Sequence, residues 1–364
     1  MSSSCPLQRR TMRNPPLEGA GGGTTSRFFL TFALQLLSTD MLQGRALILA
    51  TKPFAQENRA KSWYYTISTY LLLIACFVGI ALLPWLPAKL AVSVFTGFII
   101  MRMFVIYHDH QHHAILNNSV LANILFRIFG IFILAPSSIW KRSHDYHHAN
   151  NSKLYTASIG SYPIMTKEKF MNSTKAERNA YLAIRHPMTI LMGYFSTFIF
   201  GMSIKSFLSS PRRHFDSLIA LFIHFSAYFL LIWYGHWYTP LLLITIPFLI
   251  ACCLGSYLFY AQHNFPGVEF ADKSGWTYEL AALQSSSYMT MNRFMQWASA
   301  NIGYHHIHHM NARIPFYRLP EVMEKIPELS HPKTTSLKPR DILACISLKV
   351  WDPESKEMIP VSGI

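Results

Sequence analysis

The stretch Asn301–Met310, NIGYHHIHHM, places four histidines in five positions of a chain that is 51% apolar. A buried imidazole needs a hydrogen-bond partner or a metal, so such crowding asks for a chemical reason. Twelve of the 17 histidines fall into three clusters and one outlier. The clusters are HDHQHH (His108–His113), HDYHH (His144–His148) and HHIHH (His305–His309), and the outlier is His263 in YAQHNFP. On a helix His108 and His112 are i, i+4 neighbours, and His144, His147 and His148 stand at i, i+3, i+4. His305, His308 and His309 repeat that second pattern. Each cluster can therefore aim two or three ring nitrogens at one place, with metal–nitrogen bonds of ~2.0–2.1 Å for a zinc-like ion. With His263 the count reaches nine, too many for one metal and suited to two. Imidazole serves Zn, Cu, Fe and Ni alike, so the ion stays open at this point.

His110, His113 and His306 fall off the shared faces and read as supporting or packing residues. Asp109 and Asp145 could orient ligand rings through their second nitrogens, or simply be polar helix positions. His186, His214, His224, His236 and His331 stand alone and read as structural or surface residues.

The elements that must position these clusters are apolar. The composition, with 14% charged and 14% aromatic residues, belongs to a membrane protein. Four stretches are about one bilayer long: Tyr64–Pro84, Ala88–Tyr107, Ser217–Trp237 and Pro240–Tyr260. They carry few polar side chains, His224 and some hydroxyls. Trp63, Tyr64, Trp85, Trp233, Tyr234, Trp237 and Tyr238 gather at their ends as interfacial aromatics do. The turns Pro84–Ala88 and Gly235–Pro240 hold no Lys or Arg. By the positive-inside rule, both termini and every histidine cluster are then cytoplasmic. Leu121–Ile139, interrupted by Arg127, Gly130 and Pro136, and Pro187–Ile204, rich in Gly, Ser and Thr, read as interfacial or re-entrant helices. If Pro187–Ile204 crossed alone, histidines before and after it would lie on opposite sides and could not share a site.

The net charge of +14 suits anionic lipid headgroups; no nucleic-acid-binding motif accompanies it. Five cysteines, none in a CxxC, exclude a disulfide framework and a zinc ribbon. Residues 1–26 read as a disordered leader with no signal peptide, 27–325 as the catalytic membrane domain, and 326–364 as a cytoplasmic C-terminal tail.

The three boxes together resemble those of membrane fatty acid desaturases. WASANIGYHHIHHMNARIPFYRLP and YAQHNFPGVEF are similar to the bacterial and cyanobacterial acyl-lipid branch, and the resemblance covers roughly residues 60–325. It implies an all-α integral membrane protein with four transmembrane helices in two hairpins and a cytoplasmic helical cap holding a histidine-rich di-iron site. Two iron ions with O2 as co-substrate would introduce a cis double bond at an unactivated methylene pair of a fatty acyl chain. The implied ligands are His108, His112, His144, His147, His148, His263, His305, His308 and His309, with Asp109, His113, Asp145 and His306 around them. The first box differs from the family's commoner small residues before its second histidine, having His110 and Gln111, which leaves its ligand set open. An acyl-lipid substrate is favoured by the resemblance alone. The chain has no dinucleotide or haem motif, so a separate ferredoxin or b-type cytochrome should deliver electrons. Lys141, Arg142 and Arg293 could dock it, or could meet lipid headgroups. A lipid or carotenoid hydroxylase or ketolase shares this architecture. A metal transporter would instead need polar residues along the spans.

Overall fold

In the computed structural model, residues 41–154, 162–272 and 274–364 are described, so the leader 1–26 and the apolar stretch 27–37 lie outside the described residues. From Gln43 onward the chain is one compact unit. Among the described residues, four helices are long and apolar enough to cross a membrane: Arg59–Leu82, Leu86–Gln111, Phe215–Tyr234 and Leu241–Ala261. These are the four predicted spans, each shifted by a few residues at its ends.

The Asn58 side chain caps the first span by accepting from the Lys61 amide at 3.0 Å. Pro84 and Pro87 bracket the break before the second, because proline ends one helix readily and starts another. Trp85, Trp233, Tyr234 and Trp237 are all exposed at the two turns. The second and fourth spans pack against each other over the site. Gly97 permits that approach, since a Cβ there would lie 2.5 Å from the Ile250 Cβ.

Two helices, Val120–Phe132 and Ser137–Asn150, meet at a bend of 93°. The first exposes Val120, Leu121, Ile124 and Ile128 while burying Ala122, Phe126 and Phe129, an amphipathic pattern. Pro136 stands at the bend, capping the second helix, and Gly130 lies in the last turn of the first. The turn returns the second box beneath the end of the second span. The stretch from Pro187 runs as a short helix and then a wider-wound one, Tyr194–Lys205. Gly193 abuts Ser256 of the fourth span, and the Ser206 hydroxyl lies 3.1 Å from that of Ser217, which opens the third. The middle of this stretch therefore packs against the fourth span and its end against the start of the third.

Residues after 326 are built into the helical body. Thr334–Ser336 pairs in parallel with Tyr288–Thr290, just upstream of the third box. Val350–Asp352 and Glu357–Ile359 form a hairpin, and Val350 packs with Phe170 and Tyr181. The span interiors are also less bare than the sequence suggested. Arg102 lies buried in the second span, where its Nε donates to Thr69 Oγ1 at 3.3 Å and its guanidinium donates to the Trp297 carbonyl. Its plane lies 4.8 Å from the Trp297 ring. The cation thereby fastens the loop before the third box to the first two spans.

Candidate metal centre

The first box ends the second span, the second ends Ser137–Asn150, and the third forms its own helix, His305–Met310. Ahead of the third box, Ala300 and Asn301 take left-handed φ values of 44° and 59°, and Asn301 tolerates that region better than most residues. The Asn301 side chain donates to the Phe316 carbonyl at 3.2 Å, closing the loop around the box.

All nine predicted ligands come together, and they come together as two groups. His108, His112, His144, His148 and His308 form one; His147, His263, His305 and His309 form the other. Each group's ring nitrogens lie within 4.8 Å of one another. The boxes do not each serve one place. In every box the i, i+4 pair shares a group: His108 with His112, His144 with His148, His305 with His309. The i+3 members, His147 and His308, go to the opposite group. Helical rotation explains this, because i+4 is displaced by about +40° and i+3 by about −60° from the first residue. The groups adjoin, with the His148 and His309 rings stacked at 4.3 Å.

Within the first group, Nε2 to Nε2 separations are 2.8 Å for His108–His144, 3.2 Å for His108–His112, 3.1 Å for His144–His148 and 3.1 Å for His148–His308. In the second they are 2.9 Å for His263–His305, 3.1 Å for His305–His309 and 3.2 Å for His147–His309. Ligands at right angles on a metal with ~2.1 Å bonds would be separated by about 3.0 Å. The spacing fits that donor set twice. Burial, and then repulsion among the rings, hold His112, His144, His147, His148, His305, His308 and His309 well below the usual imidazole range. Burial pushes His263 down to about 4. Neutral rings keep a lone pair free for a metal.

Supporting contacts differ from ring to ring. His263 Nδ1 donates to the Ser285 carbonyl at 2.9 Å, which turns Nε2 toward the cluster. Asp109 lies 3.3 Å from His108 Nδ1, and its other oxygen accepts from the Phe316 amide at 2.7 Å. One carboxylate thus joins the first box to the loop after the third. Asp145 turns outward and pairs with Lys141 at 3.0 Å, so it orients no ligand ring. His110 stacks on Phe126 and contacts Ile115 O and Asn123 Oδ1. His113 is exposed beside Asn117, and His306 faces the Leu329 carbonyl. None of these three joins either group. The five lone histidines also stay apart: His186 caps a helix, His214 meets Ser138, and His224 meets the Tyr194 hydroxyl.

Sequence reasoning missed three contributors. Trp140 stacks on the His144 ring at 4.7 Å, an apolar lid on that imidazole. Gln262 donates to the Ile302 carbonyl at 2.9 Å, tying the His263 segment to the third-box loop. Arg185, fully buried, donates to Asn264 Oδ1 at 2.6 Å and to the Pro163 carbonyl at 3.0 Å. Gln262 beside His263, and Trp140 four residues before His144 on one helix, offered a sequence signal; Arg185 did not.

Beside the groups lies a small cavity between the second and fourth spans. Met101, Phe104, Val105, Leu258 and Phe259 line it, and His108, His144, His147 and His305 open onto it. Histidines of both groups and apolar span residues therefore face one space.

Comparison with known proteins agrees with this geometry. The fatty acid desaturase family model matches residues 83–338, which contain all nine histidines. A fatty acid desaturase of Bacillus subtilis (strain 168) is 28% identical over 85% of this chain and 89% of its own. The sn-1 oleoyl-lipid 12-desaturase of Anabaena variabilis is 23% identical over 72% and 75%. A Delta(12) fatty acid dehydrogenase of Crepis alpina is 24% identical over 85% and 87%. A chain with two adjoining histidine groups beneath four apolar helices, matched over most of its length, belongs to the fatty acid desaturase family of membrane oxidoreductases, which desaturate fatty acyl chains.

Proposed function

We propose that this desaturase works on acyl lipids with O2 through two irons, one held by His108, His112, His144, His148 and His308, the other by His147, His263, His305 and His309. The observation that carries this reading is the shared cavity, where rings of both groups meet an apolar wall. A saturated chain offers no charge for acid–base side chains to act on, so the chemistry falls to the cofactor. When bound, the iron pair and O2 supply the oxidant that removes two hydrogens. In sum, –CH2–CH2– with O2, two electrons and two protons gives –CH=CH– and two waters.

The chain's own residues position and exclude. Phe104, Phe259 and Leu258 give the methylenes an apolar wall and keep water from them. Ser285 and Asp109 set the rings of His263 and His108. The all-imidazole set leaves the metal charge uncompensated, unlike carboxylate-rich di-iron bundles. Two electrons must arrive from a separate carrier, a ferredoxin or b-type cytochrome. The exposed Arg142 and Arg293, with Lys141, offer it a basic face. The name of the Anabaena variabilis relative, an sn-1 oleoyl-lipid 12-desaturase, supports a lipid-linked oleoyl-type chain.

Expression in a host without polyunsaturated lipids, followed by lipid chromatography, should reveal a new unsaturated product. Protein purified gently from the same membranes should carry about two irons per chain, one per group. A single zinc, or no new product from membranes containing the protein, would refute the reading.

We also propose that the site and both termini are cytoplasmic. The supporting feature is the pair of turns, Pro84–Ala88 and Gly235–Pro240, which carry no Lys or Arg. Over the wild-type background, Trp85→Cys and Trp237→Cys should react with an impermeant maleimide on intact cells. Lys175→Cys and Arg212→Cys should react only after permeabilisation. Opposite labelling of the last two would make Pro187–Lys205 a crossing and separate the second box from the third.

A further inference from the structure

The glycines in and beside the spanning helices differ in what surrounds them. Added Cβ atoms at Gly97 and Gly193 would collide, at 2.5 Å with the Ile250 Cβ and 2.0 Å with the Ser256 Oγ. Those glycines permit helices to touch. Gly255 is different: it is buried within the fourth span, yet a Cβ there would meet nothing within 4 Å. Glycine in a helix interior is unfavourable relative to alanine, and no neighbour requires it here. What it borders instead is the cavity shared by the two histidine groups.

The level of Gly255 along the span matters. It precedes His263 by eight residues, about 12 Å along a helix axis. Met101, on the opposite wall, precedes His108 by seven, about 10 Å. The cavity therefore runs from the histidines into the membrane-facing interior, and Gly255 and Met101 stand at its far end. It is narrow, about 30 Å³, which is room for little more than one water. A chain can extend there only by displacing side chains. Met101 yields easily, being unbranched with three rotatable bonds. Gly255 has nothing to displace.

We propose that Gly255 is a specificity-determining residue: its missing side chain is the space into which the acyl chain extends beyond the reacting methylenes. This rests on the reading of the shared cavity as the acyl site. Filling the space shortens the usable chain and discriminates against longer substrates, without touching the metal centre.

Gly255→Ala and Gly255→Leu, each as full-length protein in membranes, should be supplied with two fatty acids differing by two methylenes. The product ratio is then read by chromatography alongside protein level and iron content. Gly255→Ala introduces a better helix former without a clash, so it should accumulate like wild type. Its longer-to-shorter product ratio should fall about fourfold per methylene excluded. Gly255→Leu should shift the ratio by roughly tenfold or more. An unchanged ratio in the alanine variant, whether turnover is normal or uniformly reduced, overturns the proposal. Should the leucine variant fail to accumulate, the alanine ratio decides. Absence of product from wild type would overturn the acyl reading itself, and the role of Gly255 with it.

Discussion

His263→Ala should abolish product and lower the metal content, while His306→Ala should retain measurable activity. Counting box residues would predict the reverse, since His306 sits within HHIHH and His263 stands outside every box. Geometry separates them. His263 Nε2 lies 2.9 Å from His305 Nε2, in a group of only four rings. Removing it takes away one of the four rings proposed to hold the second iron. Losing even a partner that orients a ligand costs ~10–100-fold, so losing the ligand should exceed about 100-fold. His306 is rotated about 100° from His305 on the helix, and its Nε2 contacts the Leu329 carbonyl at 3.1 Å. Its loss leaves a buried carbonyl unpaired, a stability cost of about 1–3 kcal/mol with the metal set intact. Metal analysis and lipid chromatography on the same membranes provide the comparison. An inactive His306→Ala beside a near-normal His263→Ala would refute the second group as drawn.

The largest loss of stability should follow Arg185→Met. Arg185 is fully buried, yet no carboxylate pairs with it among the described residues. Its guanidinium donates to Asn264 Oδ1 at 2.6 Å, the Pro163 carbonyl at 3.0 Å, and Tyr260 Oη and the Leu348 carbonyl at 3.3 Å each. It thereby joins the segment after the second box, the fourth span and the C-terminal residues at one point. Methionine keeps much of the volume but strands the acceptors. Hydrogen bonds from a charged donor are worth roughly 1.5–3 kcal/mol each, and Asn264 Oδ1 and the Pro163 carbonyl have no other donor among the described residues. The expected destabilisation is about 3 kcal/mol or more, seen as a lowered unfolding midpoint in detergent. Because Asn264 follows His263 directly, metal retention should weaken too. Arg185→Lys should rescue little, since a point charge cannot reproduce a fork reaching four acceptors. A methionine variant as stable as wild type would show that the charge is dispensable.

Much of the site could be read from spacing. Imidazoles at i and i+4 must share a helix face, so the pairs His108/His112, His144/His148 and His305/His309 followed from order alone. The off-face positions of His110 and His306 followed from the same rotation. The spans were legible because a bilayer demands long apolar runs. These are local properties, and local properties are written along the chain.

What order along the chain could not decide was everything that depends on where two distant elements meet. His147 and His308 each join the group opposite to their own box's pair, because the second and third boxes face each other across the site. Asp109 and Asp145 occupy equivalent places after the first histidine of a box, yet one turns inward to Phe316 and the other outward to Lys141. Arg102 and Arg185 have no motif, since their partners are carbonyls and hydroxyls from segments far away in sequence. Residues 326–364 read as a tail, but strand pairing to Tyr288–Thr290 and the hydrogen bond from Asn264 Nδ2 to the Cys345 carbonyl at 2.7 Å build them into the support of His263. By itself the sequence determined which side chains can share a helix face and which segments a membrane can accept. Only the tertiary structure decided which faces meet, because backbone carbonyls and empty space, which carry no residue-type signature, set those contacts.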